Sequence, residues 1–200
     1  MPTRPVVTRA VTALAPALAA ALAVTAAIRP AAADPAAMVE TDPATFALGG
    51  FAAHLRVRPG PRHLVVGAGA YALDLPALLV DARAANRDAG WQVRLTGAAG
   101  FVDHYLAAAP RGWFVGVEVA VQRYRYRNDD VPGMEAATVD LLVMPRAGYQ
   151  WRPFAAGFYV LPWLGLGYAA EVAGDRRVGD REYAASPVVP YAAVHLGWEL

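Results

Sequence analysis

Cysteine and lysine are both missing from the 200-residue chain, and serine occurs once, at Ser186. Without cysteine there is no disulfide framework and no thiol chemistry. Without lysine all 18 basic residues are arginine, a bias that reads as codon usage. The formal net charge of +1 leaves no polyanion-binding footprint and so argues against a nucleic-acid role. No Gly-rich phosphate loop follows a strand, and the four histidines show neither HxH nor HxxxH spacing, so no cofactor and no metal site is expected. The context Ala185-Ser186-Pro187 does not form a nucleophile elbow. Beyond the N-terminal segment, no continuous apolar run is long enough for a membrane helix.

That N-terminal segment has its own composition. Arg4 and Arg9 give a positive start, Val11 to Ile28 is rich in Ala, Leu and Val, and Ala31-Ala32-Ala33 offers a small-residue cleavage site. Residues 1–33 read as a cleaved secretory signal. Their removal takes away Arg4, Arg9 and Arg29, which leaves 15 arginines against 17 acids and a net charge of −2. Residues 34–45, with Pro35 and Pro43, read as an irregular lead-in.

From Phe46 to Leu200 the dominant period is two. The clearest stretch is Arg111 to Arg127, with Trp113, Val115, Val117, Val119 and Val121 on one face. Gly116, Glu118, Ala120, Gln122, Tyr124 and Tyr126 fall on the other. A polar wall of small residues with one mid-strand carboxylate suits the inside of a narrow barrel, and a valine wall bounded by aromatics suits lipid. Further strands are expected at 46–57, 63–73, 91–106, 137–151, 158–170 and 188–200, with a local break at Pro145. Leu75 to Asn86 instead carries apolar residues at helical spacing, so one short amphipathic helix is expected in a connecting loop. The expected fold is all-β: a closed, antiparallel, up-and-down transmembrane barrel of about 8 strands. Seven strands are visible. The alternation of long loops with short turns calls for an eighth, either before Phe46 or within Ala77 to Ala84.

The stretch from Phe46 to Leu200 resembles small bacterial outer-membrane β-barrel proteins of uncharacterised role. The resemblance lies in the runs Asn86-Arg87-Asp88-Ala89-Gly90-Trp91, Met144-Pro145-Arg146-Ala147-Gly148-Tyr149 and Pro162-Trp163-Leu164-Gly165-Leu166-Gly167-Tyr168. The C-terminal amphipathic strand is similar to a barrel-assembly signal, with Leu200 where phenylalanine is usual and Trp198 two residues earlier. The resemblance implies an outer-membrane address, with outer-membrane lipid and the barrel-assembly machinery as partners. It implies no activity.

Strand parity puts Arg94, Glu118, Asp140 and Arg146 in the lumen as a charge network, with His54, Arg56, His104, Gln122, Tyr191, His195 and Glu199 as further lumenal polar groups. The expected role is non-enzymatic: a barrel whose polar lumen is filled by side chains, with a structural, surface or narrow-pore function. One alternative is a lipid A-modifying barrel enzyme built on His104, Asp103 and Ser186. Another is a soluble periplasmic lipocalin-like barrel with its apolar faces inward. The run Arg123-Tyr124-Arg125-Tyr126-Arg127 reads as a rim patch against anionic headgroups.

Overall fold

A computed structural model describes residues 37–60, 63–107, 110–154 and 157–200. The signal segment 1–33 and residues 34–36 lie outside the described residues. The ring strands are β1 (Ala37–Thr41), β2 (Phe51–Val57), β3 (Leu64–Asp74), β4 (Trp91–Tyr105), β5 (Gly112–Asn128), β6 (Ala136–Gln150), β7 (Phe158–Gly174) and β10 (Val188–Glu199). Each pairs antiparallel with its neighbours, and β1 pairs with both β2 and β10, which closes the eight-stranded sheet on itself. Between β7 and β10 the chain makes a two-stranded hairpin from β8 (Arg177–Val178) and β9 (Arg181–Glu182).

The eighth strand lies in the segment read from sequence as an irregular lead-in. At five residues β1 is too short to show a period, yet it is what closes the ring. It ends at Thr41 and is followed by Asp42, whose side chain accepts from the Ala44 N–H at 3.0 Å and caps α1 (Pro43–Ala47). Phe46 is therefore helical, and the next strand begins at Phe51, not at Phe46. The expected helix over 75–86 contracts to α2 (Ala77–Val80), followed by turns that include Asp88 at φ 54°. There are thus two short helices among the described residues where one was expected. Pro145 interrupts the β6–β7 ladder, which resumes in the same register from Val143↔Tyr168 to Arg146↔Gly165. The bulge itself lies higher, where Val139 pairs with Ala173 but Asp140 pairs with Glu171.

Short connections join β2 to β3, β4 to β5 and β6 to β7 at one end of the ring, where β1 also starts and β10 finishes. The longer connections, with α1, α2 and the β8–β9 hairpin, gather at the other. On β5 the parity matches the sequence reading: Trp113, Val115, Val117 and Val119 are exposed, while Phe114, Glu118, Ala120, Gln122 and Tyr126 are buried. The exposed apolar wall continues through Leu55, Leu141, Val143, Leu164, Leu166, Val194, Leu196 and Trp198. On β4 the faces are reversed from the expectation. Val93, Leu95, Phe101 and Tyr105 point inward with Asp103, and Arg94 and His104 point out.

The interior is tightly filled. Glycines face inward where a neighbouring ring leaves no room for a methyl group: a Cβ on Gly97 would lie 2.6 Å from Tyr71 Cζ, and one on Gly197 would lie 2.2 Å from Tyr159 Cζ.

Candidate functional site: the closed polar interior

The half of the interior nearer the short turns holds a connected ionic network. Arg56 on β2 is fully buried. Its Nη1 donates to Glu40 Oε1 at 2.5 Å, and its Nη2 donates to Asp103 Oδ2 and Tyr105 Oη, both at 2.9 Å. Arg146 on β6 grips Asp103 with two parallel bonds, Nε to Oδ1 at 2.9 Å and Nη2 to Oδ2 at 2.7 Å, and donates from Nη1 to Glu118 Oε2 at 3.0 Å. Its guanidinium also stacks over Phe101, 4.0 Å from the ring centroid, with Trp163 at 5.2 Å. Tyr105 Oη donates in turn to Gln150 Oε1, and Tyr159 Oη donates to Glu40 Oε1 at 2.9 Å. Asp103 thus sits between two guanidiniums. Buried charges of this kind are stable only when so paired.

Glu40, His54 and His195 adjoin this network and bring one ligand atom each within 4.8 Å of one another. Two imidazoles and a carboxylate form a donor set for a divalent transition metal. The hydrogen bonds argue for a different role. Trp163 can only donate, and its Nε1–H points at His195 Nε2 at 3.1 Å. The imidazole proton therefore sits on Nδ1, facing Glu40 Oε2 at 3.1 Å. A cation on Nδ1 would move that proton to Nε2 and set N–H against N–H. The group works as a brace across β1, β7 and β10, with the His54 ring stacked on His195 at 4.8 Å.

Nearer the long loops the interior is mostly uncharged, with Asp140 as a buried acid at the level of Gln122. Gln122 donates to Tyr71 Oη at 2.7 Å and Tyr191 Oη at 2.9 Å, and accepts from Tyr124 Oη at 2.9 Å. Above that, Val80, Val93, Tyr126, Val178 and Tyr183 form an apolar cap together with Trp91. Asn86 ties the cap across two loops: its Nδ2 donates to Val80 O and Ala184 O, and its Oδ1 accepts from Ala184 N at 2.9 Å. Burial raises the Tyr183 phenol above its ordinary value, so the cap stays uncharged.

Of the four residues expected to form the lumenal charge network, Arg146 and Glu118 meet inside the ring. Asp140 is also inside but higher up, beside Thr138. Arg94 stands on the outer wall, where it donates to Asp74 Oδ1 at 2.9 Å. His54, Gln122, Tyr191 and His195 face inward as described, and Arg56 is a hub of the network. Glu199 lies half-buried at the turn end, paired with Arg152. His104 is exposed at the turn end and stacks on His63. Sequence reasoning did not place Glu40 or Asp103 in the lumenal network, and named Asp103 only for the catalytic alternative. Glu40 lay in the unread first strand. Asp103 shares parity with Phe101 and Tyr105, and one acid on an apolar face was the signal that this face points into the ring.

The three side chains of the catalytic alternative are kept apart. Asp103 is inside, His104 is outside at the turn end, and Ser186 lies in the loop before β10 at the opposite end. No family model matches the chain, and no curated protein or solved structure matches it. Among the described residues no helix is long and apolar enough to cross a membrane, a criterion that does not bear on strands.

Proposed function

We propose that the chain is a bacterial outer-membrane β-barrel of the small uncharacterised kind it resembles, non-enzymatic, with a sealed lumen and a structural or surface role. The observation that carries this reading is the inverted distribution of side chains. Valines, leucines and Trp113, Trp198 and Tyr168 cover the outer wall, while Arg56, Arg146, Glu40, Asp103 and Glu118 are buried along the axis. A water-soluble barrel places its apolar side chains inward, so this distribution counts against the lipocalin-like alternative. The outer wall holds a contiguous apolar belt that lipid would cover. Six of the eight ring strands, β3 to β7 and β10, run 11 to 17 residues, enough for a tilted membrane strand of about 9–11.

The sealed lumen is supported from both ends. The cap around Tyr126 and Tyr183 covers the loop side, and Met38, Phe114, Tyr105 and Gln150 fill the turn side. A ring of eight strands has room for side chains and little else. Residues 1–33 would direct export through the inner membrane and be cleaved, after which the barrel-assembly machinery would insert the chain. The test is fractionation of cells producing the full chain, followed by gel migration with and without boiling. Recovery in the outer-membrane fraction with a boiling-dependent mobility shift is expected. Recovery as a soluble periplasmic protein overturns the reading.

A further inference from the structure

The outer wall carries a cluster of four arginines on two adjacent strands. Arg94 on β4 pairs in register with Arg125 on β5, with Arg123 and Arg127 one rung to either side. Like charges set directly opposite on one face repel. The acids nearby do not balance them: Asp74 takes Arg94 at 2.9 Å, and Glu135 takes Arg127 at 3.0 Å and Arg125 at 3.7 Å. Arg123 is exposed and has no acid partner among the described residues. It follows directly on Trp113, Val115, Val117, Val119 and Val121 along the same face, so the cationic patch begins where the apolar belt stops, on the long-loop side. Beside it, a groove of about 490 Å³ is lined by Arg94, Arg125 and Arg127, by Leu75 and Trp91, and by Asp74, whose carboxylate is held by Arg94. The groove thus offers guanidiniums and an apolar flank together.

We infer that this wall binds the phosphorylated headgroup of a lipid in the leaflet on the long-loop side. The arginines grip the phosphate, and an acyl chain lies along the valines below. The inference rests on the membrane reading. Charge complementarity and continuity with the belt select the occupant: a guanidinium fork matches a phosphate bidentately, and a soluble anion would not use the apolar wall.

The test is native mass spectrometry of the full chain in a neutral detergent, after exposure to diphosphorylated lipid A or to phosphatidylcholine. Preferential retention of the diphosphorylated lipid is expected. Arg123→Gln with Arg125→Gln should weaken it about 30-fold, each surface charge contributing roughly a factor of five, whereas Arg87→Gln should not. Equal retention by wild type and the double variant overturns the inference, as does displacement by inorganic phosphate, which would assign the patch to a free anion. Boiling-dependent gel mobility of both proteins keeps the two readings distinguishable. A shifted, inserted barrel without lipid preference sinks this inference alone, and a chain that never inserts sinks the membrane reading with it.

Discussion

Arg146 shows what single residues do in this interior. It is held by Asp103 on one side and Glu118 on the other and lies over Phe101, so its removal leaves buried Glu118 without a cationic partner and Asp103 with Arg56 alone. Arg146→Ala should lower unfolding free energy by about 3–5 kcal/mol, read from urea titration of the refolded chain. Asp103→Asn should cost a similar amount, because Arg56 and Arg146 would then face each other across a neutral amide. An Arg146→Ala midpoint within error of wild type would mean that the network is not what holds the interior. Gly197→Val fails for a different reason. Its side chain would enter the Tyr159 ring, which is fully buried and cannot move aside, so the variant should refold poorly even though no charge changes.

At the level of elements, legibility followed length. Strands of 11 or more residues showed their period in sequence, and β2, at seven residues, was still placed by its alternation. β1 is five residues long and ends at a proline-initiated turn, so neither period nor composition marked it. Only the parity of loops and turns implied that a strand had to precede the one expected from Phe46. The choice of faces was read well on β5, where one wall is valine. It was read wrongly on β4, because this interior also holds aromatic rings: Phe101 and Tyr105 pack beside the arginines and look, in sequence, like a lipid-facing set. The outer wall can be probed one element at a time. Val117→Arg in the middle of the β5 belt should destabilise the lipid-inserted chain by about 2–4 kcal/mol, and the same change at Val188, near the loop end, by roughly 0–1 kcal/mol. Refolding titrations in vesicles measure both. Equal costs at the two depths would remove the argument that acyl chains surround the belt.

For the molecule as a whole, the question is whether anything passes through it. Two closures lie in series along the axis. The ionic network crosses the interior near the turns, joining β1, β2, β4, β5 and β6 through Glu40, Arg56, Asp103, Glu118 and Arg146. The Gln122 cluster and the Tyr183 cap close it again towards the loops. A conducting path would need both to open together, and each is held by bonds between strands that are themselves hydrogen-bonded around the ring. The reconstituted chain should therefore leave a planar bilayer electrically silent. Loosening the cap alone, by Asn86→Ala, should expose Tyr183 to quenchers and proteases without producing current, since the network below remains intact. Steady single-channel conductance from wild type would show that the interior is not sealed on the timescale of ion passage. The network would then be read as a gate that opens and not as a fixed brace.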